Sequence, residues 1–326
     1  MKKLRWGIVG PGNIAHRFAR DIRHVPECEI TAVASRDRAR GAAFAEEFSI
    51  PHVFECYEAM AESPLIDAAY IATPHPFHKV AAELFLRRGK AVLCEKPMCV
   101  NAREAEELIA VARKHGAFLM EAMWTRFLPA VNGAIEAARS GVIGTVRGLS
   151  ADFCYSLRPE DEPKIFTPTM AGGGLLDVGV YPLHLAAMLL GTEPTSVDAR
   201  ATLREGVDIH TAVTLTYGGG EIATITSGTM VKKPENAYIY GEDGYITLPC
   251  FYSAGEYTIT RKNGNEERVL LPFDGGFCGE IREVARCVFE GSTESDRHPL
   301  STTLAVIRQM DRIRESVGVV YPADKK

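Results

Sequence analysis

Four places along the first third of the chain carry residues that could do chemistry. The first is Gly10-Pro11-Gly12-Asn13-Ile14-Ala15, which follows a short apolar run at Leu4–Val9 and opens a helical stretch. In that setting the first glycine permits a tight turn and the second lets backbone approach a pyrophosphate. Ala15 keeps the helix close to the strand, and the helix N-terminus faces the anion. Gly10, Gly12, Asn13 and Ile14 are therefore read as dinucleotide-binding. A glycine turn without a ligand is the alternative for the bare pattern, and the flanking strand and helix weigh against it.

The second place is Ala34-Ser35-Arg36-Asp37, about twenty residues on, where an NAD enzyme usually places Asp or Glu against the ribose 2′-hydroxyl. Ser35 can donate a hydrogen bond there, and Arg36 can pair with or stack beside a 2′-phosphate. This favours NADP, with NAD as the alternative, because Asp37 and Arg38 blur the register.

The third is Thr73-Pro74-His75-Pro76-Phe77-His78, directly after an apolar strand. Two histidines three apart lack a third metal ligand by spacing, so no metal site is expected. Thr73, Pro74, His75 and His78 are read as a cofactor-lining loop with a capping role; a histidine acting as general acid is the rival reading. The fourth is Glu95-Lys96-Pro97, after the run Ala91–Cys94, with Glu95 and Lys96 read as cofactor-binding. At the carboxyl end of a parallel strand, Lys96 shares a rim with Gly10, Ser35 and Thr73, and a lysine there can polarise a substrate oxygen.

These groups need strands to carry them. Up to about residue 122, buried-type runs at Leu4–Val9, Glu29–Ala34, Ala68–Ala72, Ala91–Cys94 and Ala117–Met120 alternate with helical stretches. That alternation predicts an α/β domain with a doubly wound parallel sheet, a Rossmann fold, over residues 1–122. One of its helices is bounded by Asn101 as N-cap, with Glu104 three residues on, Leu108 and Val111 on one face and Gly116 past the end.

From about residue 145 the period changes to two. Leu149, Ala151, Phe153 and Tyr155 alternate with Gly148, Ser150, Asp152 and Cys154, and Val197, Ala199, Ala201 and Leu203 do the same farther on. Turns at 218–220, Asp243-Gly244 and Asn263-Gly264 separate further short strands, the pattern of an antiparallel meander. Residues 123–326 are thus predicted to form an α+β domain with an open, mainly antiparallel sheet, and helices near 174–190, 279–290 and 300–316. A sheet face of Thr and small residues is left for helices or a second subunit to cover.

The 326 residues fit two packed domains, and 46% apolar with 24% charged residues is an ordinary globular balance. A formal charge of −5 argues against a general nucleic-acid binder. No apolar run is read as a bilayer span, and the start runs from Met1 into Gly10 with no cleavage-type segment. The eight cysteines are scattered, with neither finger spacing nor a disulfide framework, so a reducing cytoplasm is the expected home.

Taken together, Gly10–Ala15, Thr73-Pro74-His75 with His78, Glu95-Lys96-Pro97, and Gly172-Gly173-Gly174-Leu175-Leu176-Asp177-Val178-Gly179-Val180-Tyr181 resemble the glucose-fructose oxidoreductase, inositol dehydrogenase and rhizopine catabolism protein (Gfo/Idh/MocA) family. The matches run in family order to Val320-Tyr321-Pro322-Ala323-Asp324 and cover nearly the whole chain. Within the family, Glu95–Met98 and Phe118–Phe127 are similar to the dimeric dihydrodiol dehydrogenase and NADP-dependent D-xylose dehydrogenase branch. The resemblance implies a catalytic lysine at Lys96 and a Lys96-Pro97 peptide that is often cis.

Inositol dehydrogenase-like members place a histidine four residues after the aspartate, whereas this chain has Tyr181 there, as the dihydrodiol and glucose-fructose branches do. If the segment is helical, Asp177 and Tyr181 lie one turn apart, with Pro182 kinking it or marking a start. A phenol near Lys96⁺ has its pKa lowered from ~10 towards the working range of a general base. The reaction implied is hydride transfer between a nicotinamide and a carbon bearing a hydroxyl. Tyr181 takes the proton, Lys96 stabilises the oxyanion, and Asp177 orients Lys96 or binds a second hydroxyl.

Trp124, Phe153 and Phe277 are candidate walls for a ring substrate, and Trp124 and Arg126 candidate cofactor contacts; core packing is the alternative for each aromatic. His184, one turn beyond Tyr181, has no assigned part. The expected substrate is a sugar, polyol or cyclic trans-dihydrodiol, and the expected assembly a homodimer through the C-terminal sheet. A glycosidase that uses nicotinamide transiently and a silent cofactor-binding regulator are the competing classes.

Overall fold

The computed structural model describes residues 3–325, so the Met1-Lys2 start lies outside them. The chain folds into two compact units. One takes the chain through Met123 together with Asp274–Leu304; the other takes Trp124–Phe273 and the chain from Ala305. The first crossing falls beside the expected 122/123 boundary, but 274–304 returns to the first unit, which a single boundary does not provide for. Specific bonds explain the return. Phe277 N–H donates to Asp21 Oδ2 at 3.0 Å, Leu119 N–H to Thr293 O at 3.1 Å, and Thr303 Oγ1 to Glu121 Oε2 at 3.0 Å.

In the first unit, strands β1 (Leu4–Val9), β2 (Cys28–Ala34), β3 (His52–Phe54), β4 (Ala68–Ile71), β5 (Ala91–Glu95) and β6 (Leu119–Ala122) form one parallel sheet in the order β3-β2-β1-β4-β5-β6. Strands β4, β5 and β6 are buried along their whole length, as apolar runs covered on both faces require. The short β3 has no counterpart in the sequence reading, because three largely exposed residues carry no period. The order reverses direction between β1 and β4, the switch point beside which nucleotides bind in such sheets.

Asn101 caps the helix Ala102–His115 by accepting from Glu104 N–H at 2.9 Å, and Gly116 ends it at φ 59°. Glu104 reaches back one residue farther than a capping box, to Val100 N–H at 3.3 Å. The buried stripe is Ala105, Leu108, Ile109 and Ala112, with Val111 at its half-buried edge.

The second unit holds β7 (Val146–Cys154), β8 (Ser196–Arg204), β9 (Val207–Thr216), β10 (Ile222–Gly228), β11 (Ala237–Gly241), β12 (Gly244–Leu248), β13 (Glu256–Arg261) and β14 (Glu266–Leu270). They make one open sheet in the order β14-β13-β12-β11-β7-β10-β9-β8. It is antiparallel except where β10 pairs β7 in parallel, so it is a mixed sheet and not the simple meander expected. One face is buried, with Leu149, Ala151, Ala223, Ile225 and Ile239 all below 4% exposure. Leu203 leaves the apolar face that its spacing implies, because a register shift between Thr202 and Leu203 turns it outward.

The apolar stretch Pro168–Leu190 has the length and composition of a membrane span, contrary to the sequence expectation that no such run exists; 78% of its apolar 18-residue window is buried, as in a core helix. Within it, Leu175–Gly179 forms a π-type turn, with Val180 N–H bonding back to Leu175 O, before the α-helix Val180–Leu190. Pro182 accounts for the widening, since its ring would strike the carbonyl four residues back and it has no N–H to give.

Candidate functional site

Four strand ends of the first unit line up as the sequence predicts. Gly10 follows β1, Ser35 follows β2, Thr73 lies just beyond β4 and Lys96 follows β5, and these strands are neighbours in the sheet. Gly10 has φ 86°, and a β-carbon there would sit 3.1 Å from Ala72 O and 3.4 Å from Thr73 Cγ2. The turn therefore packs directly on the loop after β4. Gly12 is different, since a β-carbon would meet nothing within 4 Å.

Gly12 begins the helix Asn13–Asp21 without a side-chain cap and with no acidic residue in its first turn. Its leading N–H groups and positive dipole end thus remain suited to an anion. Thr73 Oγ1 is buried with no hydrogen-bond partner among the described residues. An uncapped helix start behind a glycine with open space before it, and an unsatisfied hydroxyl on the next loop, fit a dinucleotide phosphate. Asn13 is exposed and Ile14 half-buried on the first turn.

At the end of β2, Asp37 is committed to structure, as its side chain accepts from Arg40 N–H at 3.1 Å and caps the helix Arg38–Phe48. Ser35 is buried and its Oγ accepts from Asp37 N–H at 3.2 Å. The exposed Arg36 guanidinium carbon lies 5.6 Å from the centre of the Phe77 ring. Asp37 is thus occupied as a helix cap, while Arg36 stands exposed beside Phe77.

His78 is buried beneath two loops. Its Nε2 is 2.6 Å from Thr73 O and its Nδ1 2.8 Å from Pro97 O. A neutral ring donates from only one nitrogen. Burial, reinforced by His75 and Lys96, pushes the imidazole down to about 4. Set between the two carbonyls, the buried ring ties the loop after β4 to the loop after β5. His75 and Pro74 stand farther out, half-buried and exposed.

The Lys96-Pro97 peptide is cis. Glu95, expected at the cofactor, faces inward: it is buried and accepts from the Tyr70 hydroxyl. Burial pushes its carboxyl up, and the Tyr70 bond opposes that. Phe277 is also a core side chain of this unit, 2% exposed, with its ring centre 5.6 Å from Phe18 and 5.8 Å from Tyr70. Its ring packs with these two in the first unit's core, the core-packing alternative for this aromatic.

In the second unit, Tyr181 is 8% exposed and sits among rings, 5.3 Å from Phe153, 6.1 Å from Tyr252 and 6.4 Å from Trp124 between centres. Tyr252 stacks on Phe153 at 4.1 Å, and Thr125 Oγ1 donates to Tyr252 O at 2.9 Å, tying the turn Trp124–Phe127 to the cluster. Arg126 is half-buried in that turn, and its carbonyl accepts from Asn132 Nδ2 at 2.9 Å.

Asp177 Oδ2 accepts from the Tyr155 hydroxyl at 2.6 Å, and burial with Asp177 beside it pushes the Tyr155 phenol well up. His184 is fully buried in the helix after Tyr181. Sequence reading missed Tyr70, Tyr155 and Tyr252 as partners. Tyr155 stood in the alternating run but read as a core position, while Tyr252 lies in a stretch with no period.

The family model described as the oxidoreductase family with an NAD-binding Rossmann fold matches residues 4–123, and that of the GFO/IDH/MocA C-terminal domain matches residues 131–247. The chain is 38% identical over 336 residues to a trans-1,2-dihydrobenzene-1,2-diol dehydrogenase of Mus musculus, covering 99% of both chains. It is 34% identical over 330 residues to a scyllo-inositol 2-dehydrogenase (NADP(+)) of Bacillus subtilis (strain 168), again 99% of both. A 3-ketoreductase from Actinomadura kijaniata, solved in complex with NADP, superposes with a TM-score of 0.84 at 29% identity, over 97% of this chain and 98% of that one.

Proposed function

The chain belongs to the Gfo/Idh/MocA family of oxidoreductases, and from that premise we propose that it is an NADP-preferring dehydrogenase acting on a secondary alcohol or hemiacetal. The substrate class is a sugar, polyol or cyclic trans-dihydrodiol. The observation that carries the reading is the rim of four adjacent strand ends bearing Gly10, Ser35, Thr73 and Lys96. Relatives named as dehydrogenases along their whole length favour this over a glycosidase or a silent regulator.

Gly10, Gly12, Asn13 and Ile14 would hold the pyrophosphate, with Thr73, Pro74 and His75 lining the next loop. Ser35 and Arg36 would meet a 2′-phosphate, because Arg36 is exposed and Asp37 is used up as a cap. An NADP-dependent relative and an NADP-bound structural neighbour support that preference, with NAD as the weaker alternative. When bound, the nicotinamide supplies the hydride chemistry.

The side chains then have separate tasks. Lys96 stabilises negative charge growing on the substrate oxygen, and Tyr181 accepts the hydroxyl proton. Asp177, fixed by Tyr155, binds a further hydroxyl. The rings of Trp124, Phe153 and Tyr252 give the apolar side of a cyclic polyol a surface to pack on. Glu95 and His78 act from beneath, holding the loops that carry Lys96 and Thr73.

Residues 123–273 with the chain's end are proposed to bind substrate and to assemble a homodimer through the open sheet face. Asp198, Arg200, Thr214, Thr224 and Thr226 lie in register across it, with no buried apolar row. The eight cysteines are all free thiols, six of them buried, which suits a reducing cytoplasm.

The test is NADPH and NADH formation across D-xylose, D-glucose, myo-inositol and a trans-dihydrodiol, with light scattering for the assembly. Turnover with NADP⁺ and a polyol or diol is expected. Saturable NADPH binding without turnover on any of them would sink the dehydrogenase reading for this substrate class.

A further inference from the structure

The terminal segment Val320–Asp324 and the glycine run at 172–174 have no part in the reaction as assigned, yet in the second unit they meet. The Tyr321 hydroxyl donates to the carbonyl of Gly172, and the ring is 1% exposed. On the far side of the same turn, Leu175 N–H donates to Asp208 Oδ2 at 2.7 Å, and that oxygen also accepts from Thr211 Oγ1 at 2.9 Å. Asp208 is itself 1% exposed.

The turn between these grips has no slack. Gly173 has φ 105°, and a β-carbon there would collide with Asp208. A β-carbon on Gly174 would lie 3.1 Å from Gly228 Cα. The terminal tyrosine is held in its turn, because Arg314 sits 4.8 Å over its ring. Asp324 Oδ2 accepts from Tyr321 N–H at 2.8 Å and from Arg314 Nη1 at 2.7 Å.

Three glycines in succession are the least restricted backbone a chain can offer. Left to itself, such a run would fix neither the position nor the direction of the next turn. Three residues after its end begins the reacting segment, with Asp177 in the π-type turn and Tyr181 in the first turn of the helix. We propose that Tyr321 and Asp208 are positioning residues, gripping the two ends of the glycine turn and thereby aiming Asp177 and Tyr181. The inference rests on Tyr181 as the proton acceptor and extends that reading to the chain's last turn.

A displacement of about 1 Å at a reacting group costs up to ~10²-fold in rate. Tyr321→Phe removes one hydroxyl and leaves the ring under Arg314. The variant should melt within about 4 °C of the parent and bind NADPH as the parent does, since Gly10–Ile14, Ser35, Arg36 and Thr73 lie in the other unit. Its kcat on a polyol the parent oxidises should fall by roughly tenfold, with the nucleotide KM unchanged. Asp208→Asn, which keeps an oxygen for Leu175 N–H, should retain most of the kcat that Asp208→Ala loses.

Parental kcat in a folded Tyr321→Phe overturns the inference. So does a loss of kcat matched by equal losses of NADPH binding and melting temperature, which would mark a purely structural role. Tyr181→Phe run beside it separates the two readings. A fully active Tyr181→Phe removes the premise, whereas an inactive Tyr181→Phe beside a fully active Tyr321→Phe removes the inference alone.

Discussion

The Tyr155 hydroxyl reaches Asp177 Oδ2 at 2.6 Å, joining the end of strand β7 to the segment that leads into Tyr181. Burial and the neighbouring carboxylate keep this phenol protonated well above its ordinary range, so it donates throughout any working pH. A bond of this kind to a half-exposed acceptor is worth about 1 kcal/mol. Tyr155→Phe is therefore expected to lower kcat/KM for the polyol by about fivefold, with nucleotide KM unchanged. Steady-state kinetics with the polyol varied at saturating nucleotide checks this, and an unchanged kcat/KM would remove Asp177 from substrate binding.

Lys96→Met and Tyr181→Phe each delete one proposed chemical role while nearly keeping side-chain volume. General acid–base and oxyanion contributions are each of order 10²–10⁴-fold, so both variants should lose at least about a hundredfold in kcat. They should still bind NADPH, because the glycine turn and the helix start are untouched. Near-parental kcat in either variant would take that residue out of the reaction.

How far these roles could be read from sequence depended on whether a local rule determined them. The turn at Gly10, the strand end at Lys96 and the cap at Asn101 are local, and the structure has each where spacing put it. Glu95 stood at the right strand end, but its direction is set by Tyr70, twenty-five positions away on another strand, and no period encodes that pairing. Phe277 shows the same limit. Its aromatic type fitted a pocket wall, while the bond from its N–H to Asp21 places it in the first unit's core. The mixed sheet escaped because β7 and β10 alternate identically whether paired parallel or antiparallel.

Arg36 gives the nucleotide preference its own test. It is exposed, stands over Phe77, and has no competing carboxylate from Asp37, which caps the following helix. Arg36→Ala should raise the NADP⁺ KM by roughly tenfold, the loss of one charge-assisted contact, and leave the NAD⁺ KM nearly unchanged. Equal changes for both nucleotides would show that Arg36 does not read the 2′-position.

His78 predicts a pH dependence of stability. Its pKa is about 4 when folded, against ~6.5 when free. Between those values the unfolded chain binds the extra proton, so stability falls as pH drops from about 6.5 towards 4 and is unaffected by this group above that window. The slope is about 1.4 kcal/mol per pH unit, or about 2 kcal/mol between pH 6.5 and 5. Urea unfolding of the parent and of His78→Asn at both pH values isolates the contribution, and parallel pH slopes would refute it.

Glu280 leads to the opposite sign. It lies in the first turn of the helix Cys278–Glu290, fully buried, and neither carboxyl oxygen has a hydrogen-bond partner among the described residues. Burial raises its pKa well above the carboxylate range, and Glu95, Asp21 and Glu121 push the same way. The folded protein therefore keeps a proton that the unfolded chain releases near pH 4, and folding grows less favourable as pH rises beyond that point. Glu280→Gln has the same shape and no charge to suppress, so this pH penalty disappears. The amide brings a fixed cost of its own, two buried donors without partners, which does not vary with pH. The telling quantity is consequently the slope: the stability of Glu280→Gln relative to the parent should rise as pH climbs above the ordinary carboxylate range in urea unfolding. A difference that stays flat as pH climbs would mean that Glu280 ionises freely in the folded protein, and that its buried position is misread.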